Sequence, residues 1–149
     1  MKTAEEIHEK YEMNTLIAMF MGGSVLSEEE HELPHGSRGY VMIRNWSLPT
    51  GVPLGDFEKA KIGRFNYNLS WDWLMPVIRK INSLDKGTQF AIFKTYVSCT
   101  VEKGGKFYKD FSFSHAEYIT DEQSDLQAAY KLVFKFVKWY NENKIEKHG

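Results

Sequence analysis

Two tryptophans, a helix cap and an apolar stripe fall together within residues 66–81, and no other stretch narrows the fold so far. Ser70 or Asp72 can cap a helix there, because a short oxygen-bearing side chain satisfies one of the N–H groups that a first turn leaves open. Leu74, Val77, Ile78, Ile81 and Leu84 then recur at helical spacing and form a stripe to be buried. Pro76 is compatible with a position close to the first turn, and Asp85-Lys86-Gly87 ends the element. Trp71 and Trp73 read as core anchors, with a partner-binding hot spot as the sharper alternative.

The other elements follow from caps, periodicity and turns. Thr3 with Glu6 is a capping-box pattern, and Ile7, Tyr11, Asn14, Ala18 and Met21 continue at helical spacing up to Gly22-Gly23, which predicts a helix over 4–21. Residues 34–63 hold Pro34, Pro49, Pro53 and five glycines, a composition that breaks helices, and only Tyr40 to Trp46 reads as a strand within it. Residues 90–101 and 107–115 are rich in β-branched and aromatic side chains, and Gly104-Gly105 between them predicts a tight hairpin. A last helix starts near Thr120 or Ser124, with Leu126, Ala129, Tyr130, Val133, Val137 and Tyr140 on one face beside Leu132, Phe136 and Trp139. Residues 144–149 are expected to fray. The fold class is therefore α+β: one domain over residues 1–149, with a small antiparallel sheet (the hairpin plus one further strand) flanked by about three helices. An irregular Gly- and Pro-containing segment occupies about 23–65.

Composition excludes several classes of function. The 19 basic and 20 acidic residues leave a net charge of −1, so no general field draws nucleic acid or an anionic membrane. Aromatic residues make up 15% of the chain, which argues for a ring-rich core and against disorder. With a single cysteine, Cys99, no intrachain disulfide can form. The first residues show no apolar signal region and no run reaches ~18 apolar residues, so a soluble product of the host cell cytosol with no membrane partner is expected.

Candidate sites are drawn from the hairpin and from the irregular segment. A two-residue turn at 104–105 sets Cys99 opposite Asp110, Lys94 opposite His115 and Tyr96 opposite Phe113. In that register Cys99 and His115 occupy opposite faces, which forbids a Cys–His nucleophilic pair. Lys94, Tyr96, Phe113 and His115 then share one face, able to stack and hydrogen-bond a planar, nucleotide-like ligand, although rings paired across strands also stabilise sheets for their own sake. Arg44, Trp46 and Arg64 are the candidates for binding a protein partner through the loose middle. Glu28-Glu29-Glu30-His31-Glu32 with His35 carries metal-ligand chemistry, but Pro34 disfavours the helix that would align the two imidazoles, and a solvated acidic loop is expected. No metal, no cofactor and no catalytic residue is assigned.

Three stretches carry a resemblance: Asn14-Thr15-Leu16-Ile17-Ala18-Met19-Phe20-Met21-Gly22, Ser70-Trp71-Asp72-Trp73-Leu74-Met75-Pro76-Val77-Ile78, and Ala128-Ala129-Tyr130-Lys131-Leu132-Val133 continued by Phe136-Val137-Lys138-Trp139-Tyr140-Asn141. In these the chain resembles a group of small, mostly uncharacterised phage and prophage proteins with an α-β-α sandwich domain. The resemblance does not cover residues 23–65. It implies a phage-borne accessory protein and brings no catalytic residues. The favoured expectation is a non-enzymatic binding protein that engages a host protein or a nucleotide-like small molecule, in the manner of a counter-defence factor. The alternatives are a homo-oligomeric assembly protein joined through Phe136 and Trp139, and a small nuclease or nucleotide hydrolase using His115 as general base.

Overall fold

The computed structural model describes residues 3–32, 39–84, 88–92, 96–103, 106–114 and 124–147; for residues 4, 31, 40, 41, 96, 102, 103, 106–114, 124 and 143–147 it describes the backbone alone. The elements run α1 (Ala4–Phe20), β1 (Ser24–Glu32), β2 (Tyr40–Ser47), a 3-10 turn (Leu54–Asp56), α2 (Phe57–Lys61), α3 (Trp71–Ser83), β3 (Thr88–Ile92), β4 (Tyr96–Lys103), β5 (Lys106–Ser114) and α4 (Ser124–Lys147). The class is α+β, as the sequence implies.

Both expected caps form. The Thr3 hydroxyl accepts from the Glu6 N–H at 3.2 Å, and the Ser70 hydroxyl accepts from the Asp72 N–H at 3.1 Å. Trp73, Leu74, Val77, Ile78 and Ile81 make the buried face of α3. Pro76 lies inside this helix. It removes the N–H that would reach the Asp72 carbonyl. Gly51 is seated against its ring: a Cβ there would stand 2.6 Å from the Pro76 Cβ, and φ is +81°. In α1 the expected stripe is half right. Asn14, Ala18 and Met21 are buried, whereas Ile7 is 60% exposed and Tyr11 39% exposed. Burial begins only at Met13, so the first turns contribute little to the core.

The strands depart from expectation in three ways. First, the acidic stretch is a strand, not a loop: β1 pairs antiparallel with β2 in a separate two-stranded ribbon, with Leu26 as a bulge. Glu28 faces Arg44 in this ribbon and Ser27 faces Asn45. Both pairs are bonded through their side chains, at 3.1 Å and 3.0 Å. His35 lies outside the described residues. Second, residues 90–101 divide into two strands, so the sheet is β3-β4-β5 and its further strand is β3 rather than the 40–46 segment. Third, the hairpin register slips. Lys103 pairs with Lys106 and Glu102 with Phe107, as a two-residue turn requires, but a bulge at Tyr108 then moves every pair by one.

Helix α4 packs on β4 and β5, α1 packs on α4, and α3 closes against β3 and α4. One face of the sheet is dry, with Thr88, Phe90, Val97, Cys99 and Val101 buried. Phe136 is 1% exposed and belongs to this core, so it cannot form the outer contact expected of an assembly protein. Helix α4 continues to Lys147, past the point where fraying was expected. Among the described residues, no helix is long and apolar enough to cross a membrane.

Gly51→Ala should lower stability by about 2 kcal/mol, combining a positive φ with overpacking against Pro76. Gly55→Ala, where nothing lies within 4 Å of the new methyl, is the control. Paired thermal melts read the difference.

Candidate functional site

The register slip decides what becomes of the sheet candidates. Tyr96 pairs with Ser114 and Phe113 with Val97, while Cys99 faces Phe111 rather than Asp110. Tyr96 and Phe113 are therefore not a cross-strand pair but occupy alternating positions of the pleat. The expected shared face loses its premise, and so does the register argument against a Cys–His pair. Lys94 and His115 lie outside the described residues. Cys99 is buried, consistent with a small core residue.

Of the other candidates, the structure brings two together and withdraws the third. Arg44 on β2 and Arg64 after α2 line one cleft of about 740 Å³. Trp46 is 3% exposed and supports the cleft from behind instead of offering its ring to a partner. Its indole meets Phe65 edge-on at 5.0 Å, Tyr67 meets Trp73 edge-on at 5.2 Å, and Phe65 lies 6.4 Å from Trp73. Such edge-to-face pairs add about 0.5–1.5 kcal/mol each beyond their burial. Trp73 also donates to the Asp56 carboxylate at 2.9 Å, fixing α3 to the start of α2. The backbone at Gly63, with φ +82°, passes directly over Trp46: a Cβ there would stand 2.9 Å from the indole nitrogen. This close approach turns the chain so that Arg64 reaches the cleft.

The cleft's remaining walls come from α1, β2 and the 62–66 segment. Tyr11, Met42 and Ile62 are exposed at its rim, with Ile43 and Asn66 half-buried and Asn14 and Phe65 buried. Asn14 is the hub that assembles it. Its amide nitrogen donates to the Phe65 carbonyl at 2.9 Å and to Asn68 Oδ1 at 3.0 Å. Its own oxygen accepts from the Tyr130 hydroxyl at 2.9 Å. Gln127 on α4 adds a bond to the Asn68 carbonyl at 3.0 Å. Both amide hydrogens of Asn14 are thus engaged, and it builds the wall rather than binding a guest.

Electrostatically, the lining holds two guanidinium groups and no carboxylate. Glu28 takes the Nε–H of Arg44 at 3.1 Å with both side chains about half exposed, so this pair orients Arg44 more than it stabilises the fold. A neighbouring hollow of about 310 Å³ shares Tyr11 and Arg44 and adds His8 and Glu12. These two are 3.0 Å apart but 71% and 68% exposed, which leaves them wet, whereas an acid–base pair with shifted pKa values requires desolvation. Burial pushes the Tyr130 phenol well above its ordinary value, helped by the negative charge of Glu9, and burial alone does the same to Tyr67. Among the described residues, no group of three or more His, Cys, Asp or Glu is placed to hold a metal ion.

Sequence reading found Arg44 and Arg64 but not Tyr11, Asn14 or Asn66 as site residues. The available signal was Asn14 itself, a carboxamide inside an apolar stripe, which burial would force to find partners.

Asn14→Ala should destabilise the protein by about 3 kcal/mol, since it leaves several buried groups unpaired, and should lower Tm by roughly 6–12 °C. Stability should also fall above pH 10. The unfolded chain ionises its tyrosines near the model value of 10.0, while Tyr130 and Tyr67 stay protonated in the fold. The folded state therefore binds more protons and loses ground as pH rises, and Tyr130→Phe should make the decline shallower. Denaturant melts between pH 8 and pH 11 measure this.

No family model matches the chain, and neither a curated protein nor a solved structure shows significant similarity to it.

Proposed function

We propose that the chain is a phage-borne accessory protein that binds a small ligand in the Arg44–Arg64 cleft without turning it over. The observation that carries this reading is the pairing of two guanidinium groups, from separate elements, in one concave site. Its volume of about 740 Å³ is that of a small-molecule pocket, and such pockets run from roughly 300 to 1,000 Å³. The lining supports binding over catalysis. Guanidinium, phenol and carboxamide groups are good donors at neutral pH, but none is a general base there.

The phage origin rests on the three motifs described above, and sequestration of a host-cell molecule is the role such a binder would serve there. A protein partner fits less well, because Trp46, the expected aromatic anchor, is enclosed in the core.

The test is native mass spectrometry against a panel of small anions and their neutral analogues. An anion adduct should form with the wild type and be recovered chemically unchanged. Arg64→Ala should weaken it by roughly 10- to 100-fold, as expected for losing hydrogen bonds to a charged group worth about 1.5–3 kcal/mol. Arg64 is exposed, so Tm should not move. Conversion of the ligand, or an adduct indifferent to Arg64, would refute the reading.

A further inference from the structure

The chemistry of the cleft goes further than charge, and it names a ligand class, an inference that rests on the binding reading above. We propose that the cleft takes a phosphorylated ligand with a planar ring, a molecule of the nucleotide class, with its phosphates between Arg44 and Arg64. Three observations converge. Arg44 and Arg64 supply planar donor forks that match the oxygens of a phosphate group in bidentate fashion. Glu28 bonds Arg44 through Nε, which leaves the outer edge of that guanidinium directed to a guest while its position is held. No carboxylate in the lining opposes an anion, although the chain as a whole carries a net charge of −1, so the positive field is local to this site.

The rest of the wall suits a flat, partly apolar body. Tyr11 presents a ring that is 39% exposed, and Met42 and Ile62 are 53% and 42% exposed on the same cleft. Exposed apolar side chains gathered in a concavity are what a stacked ring covers, and a base on an aromatic side chain gains about 1–3 kcal/mol in comparable sites. The Asn66 carboxamide, half-buried beside Phe65, offers both a donor and an acceptor to the edge of such a ring. An acidic peptide would satisfy the two arginines, but it would leave this apolar wall uncovered.

Calorimetric titration of the full chain with ADP, adenosine and inorganic pyrophosphate tests the proposal, alongside an aspartate-rich peptide. ADP should bind about tenfold or more tightly than either fragment, because only it engages both halves of the site. Arg44→Gln and Arg64→Gln should each weaken ADP by about tenfold or more, and Tyr11→Ala should weaken ADP while leaving pyrophosphate unchanged. Equal affinity for ADP and pyrophosphate would overturn the ring contact, and ADP binding indifferent to both arginines would overturn the phosphate contact. Arg64-dependent binding of the peptide with none of ADP would overturn the nucleotide class yet leave a ligand-binding cleft. Failure of every probe, the anion panel included, would remove both readings together.

Discussion

The buried carboxamide of Asn14 is the interaction on which the site depends. A helix interior seldom holds a polar side chain with both amide hydrogens used and its oxygen engaged as well. Here the three bonds join α1 to the Tyr130 hydroxyl on α4, to the Phe65 carbonyl and to Asn68. The 65–68 segment has no regular pairing of its own, so these bonds give it a fixed place. In a buried setting each is stronger than in water, and each is costly to lose.

From that anchor the rest of the cleft follows by packing. Phe65, held through its carbonyl, presents its ring edge to Trp46, which carries the β1–β2 ribbon onto the core. Gly63 crosses the indole at a distance no side chain would allow, and the next residue, Arg64, emerges on the same cleft as Arg44. The ribbon is separate from the three-stranded sheet, and its sequence is unsuited to a core: Glu28, Glu29 and Glu30 are all exposed. What places it is the pairing of Glu28 with Arg44 and Ser27 with Asn45 across the strands, together with the burial of Trp46 at its end.

Much of this was legible in the chain, and the failures share a cause. Thr3 and Ser70 announced two helices because capping is local chemistry, and the stripe from Leu74 to Ile81 was plain because helical periodicity is local too. β1 was hidden because three consecutive glutamates read as solvent-exposed loop, and only the partner strand supplies what they pair with. The hairpin turn was placed correctly, but the bulge at Tyr108 has no sequence signature here, and one extra residue exchanges the pleat positions of everything beyond it. Arg44 and Arg64 were singled out separately. Their meeting was not legible, because it is produced by long-range burial of Trp46 and by the Asn14 bonds to Phe65 and Asn68, which no spacing encodes.

A cleft assembled in this way is pre-formed rather than induced, which suits a protein that captures a dilute ligand, since less ordering remains to be done on binding. The account stands or falls on the hub. A double-mutant cycle between Asn14→Ala and Tyr130→Phe, read by denaturant unfolding, measures it directly. Shared dependence predicts a coupling energy of about 1 kcal/mol or more between the two sites. Simple additivity of the two losses would contradict it and would mean that the 65–68 segment, and the cleft it lines, is held by something other than Asn14.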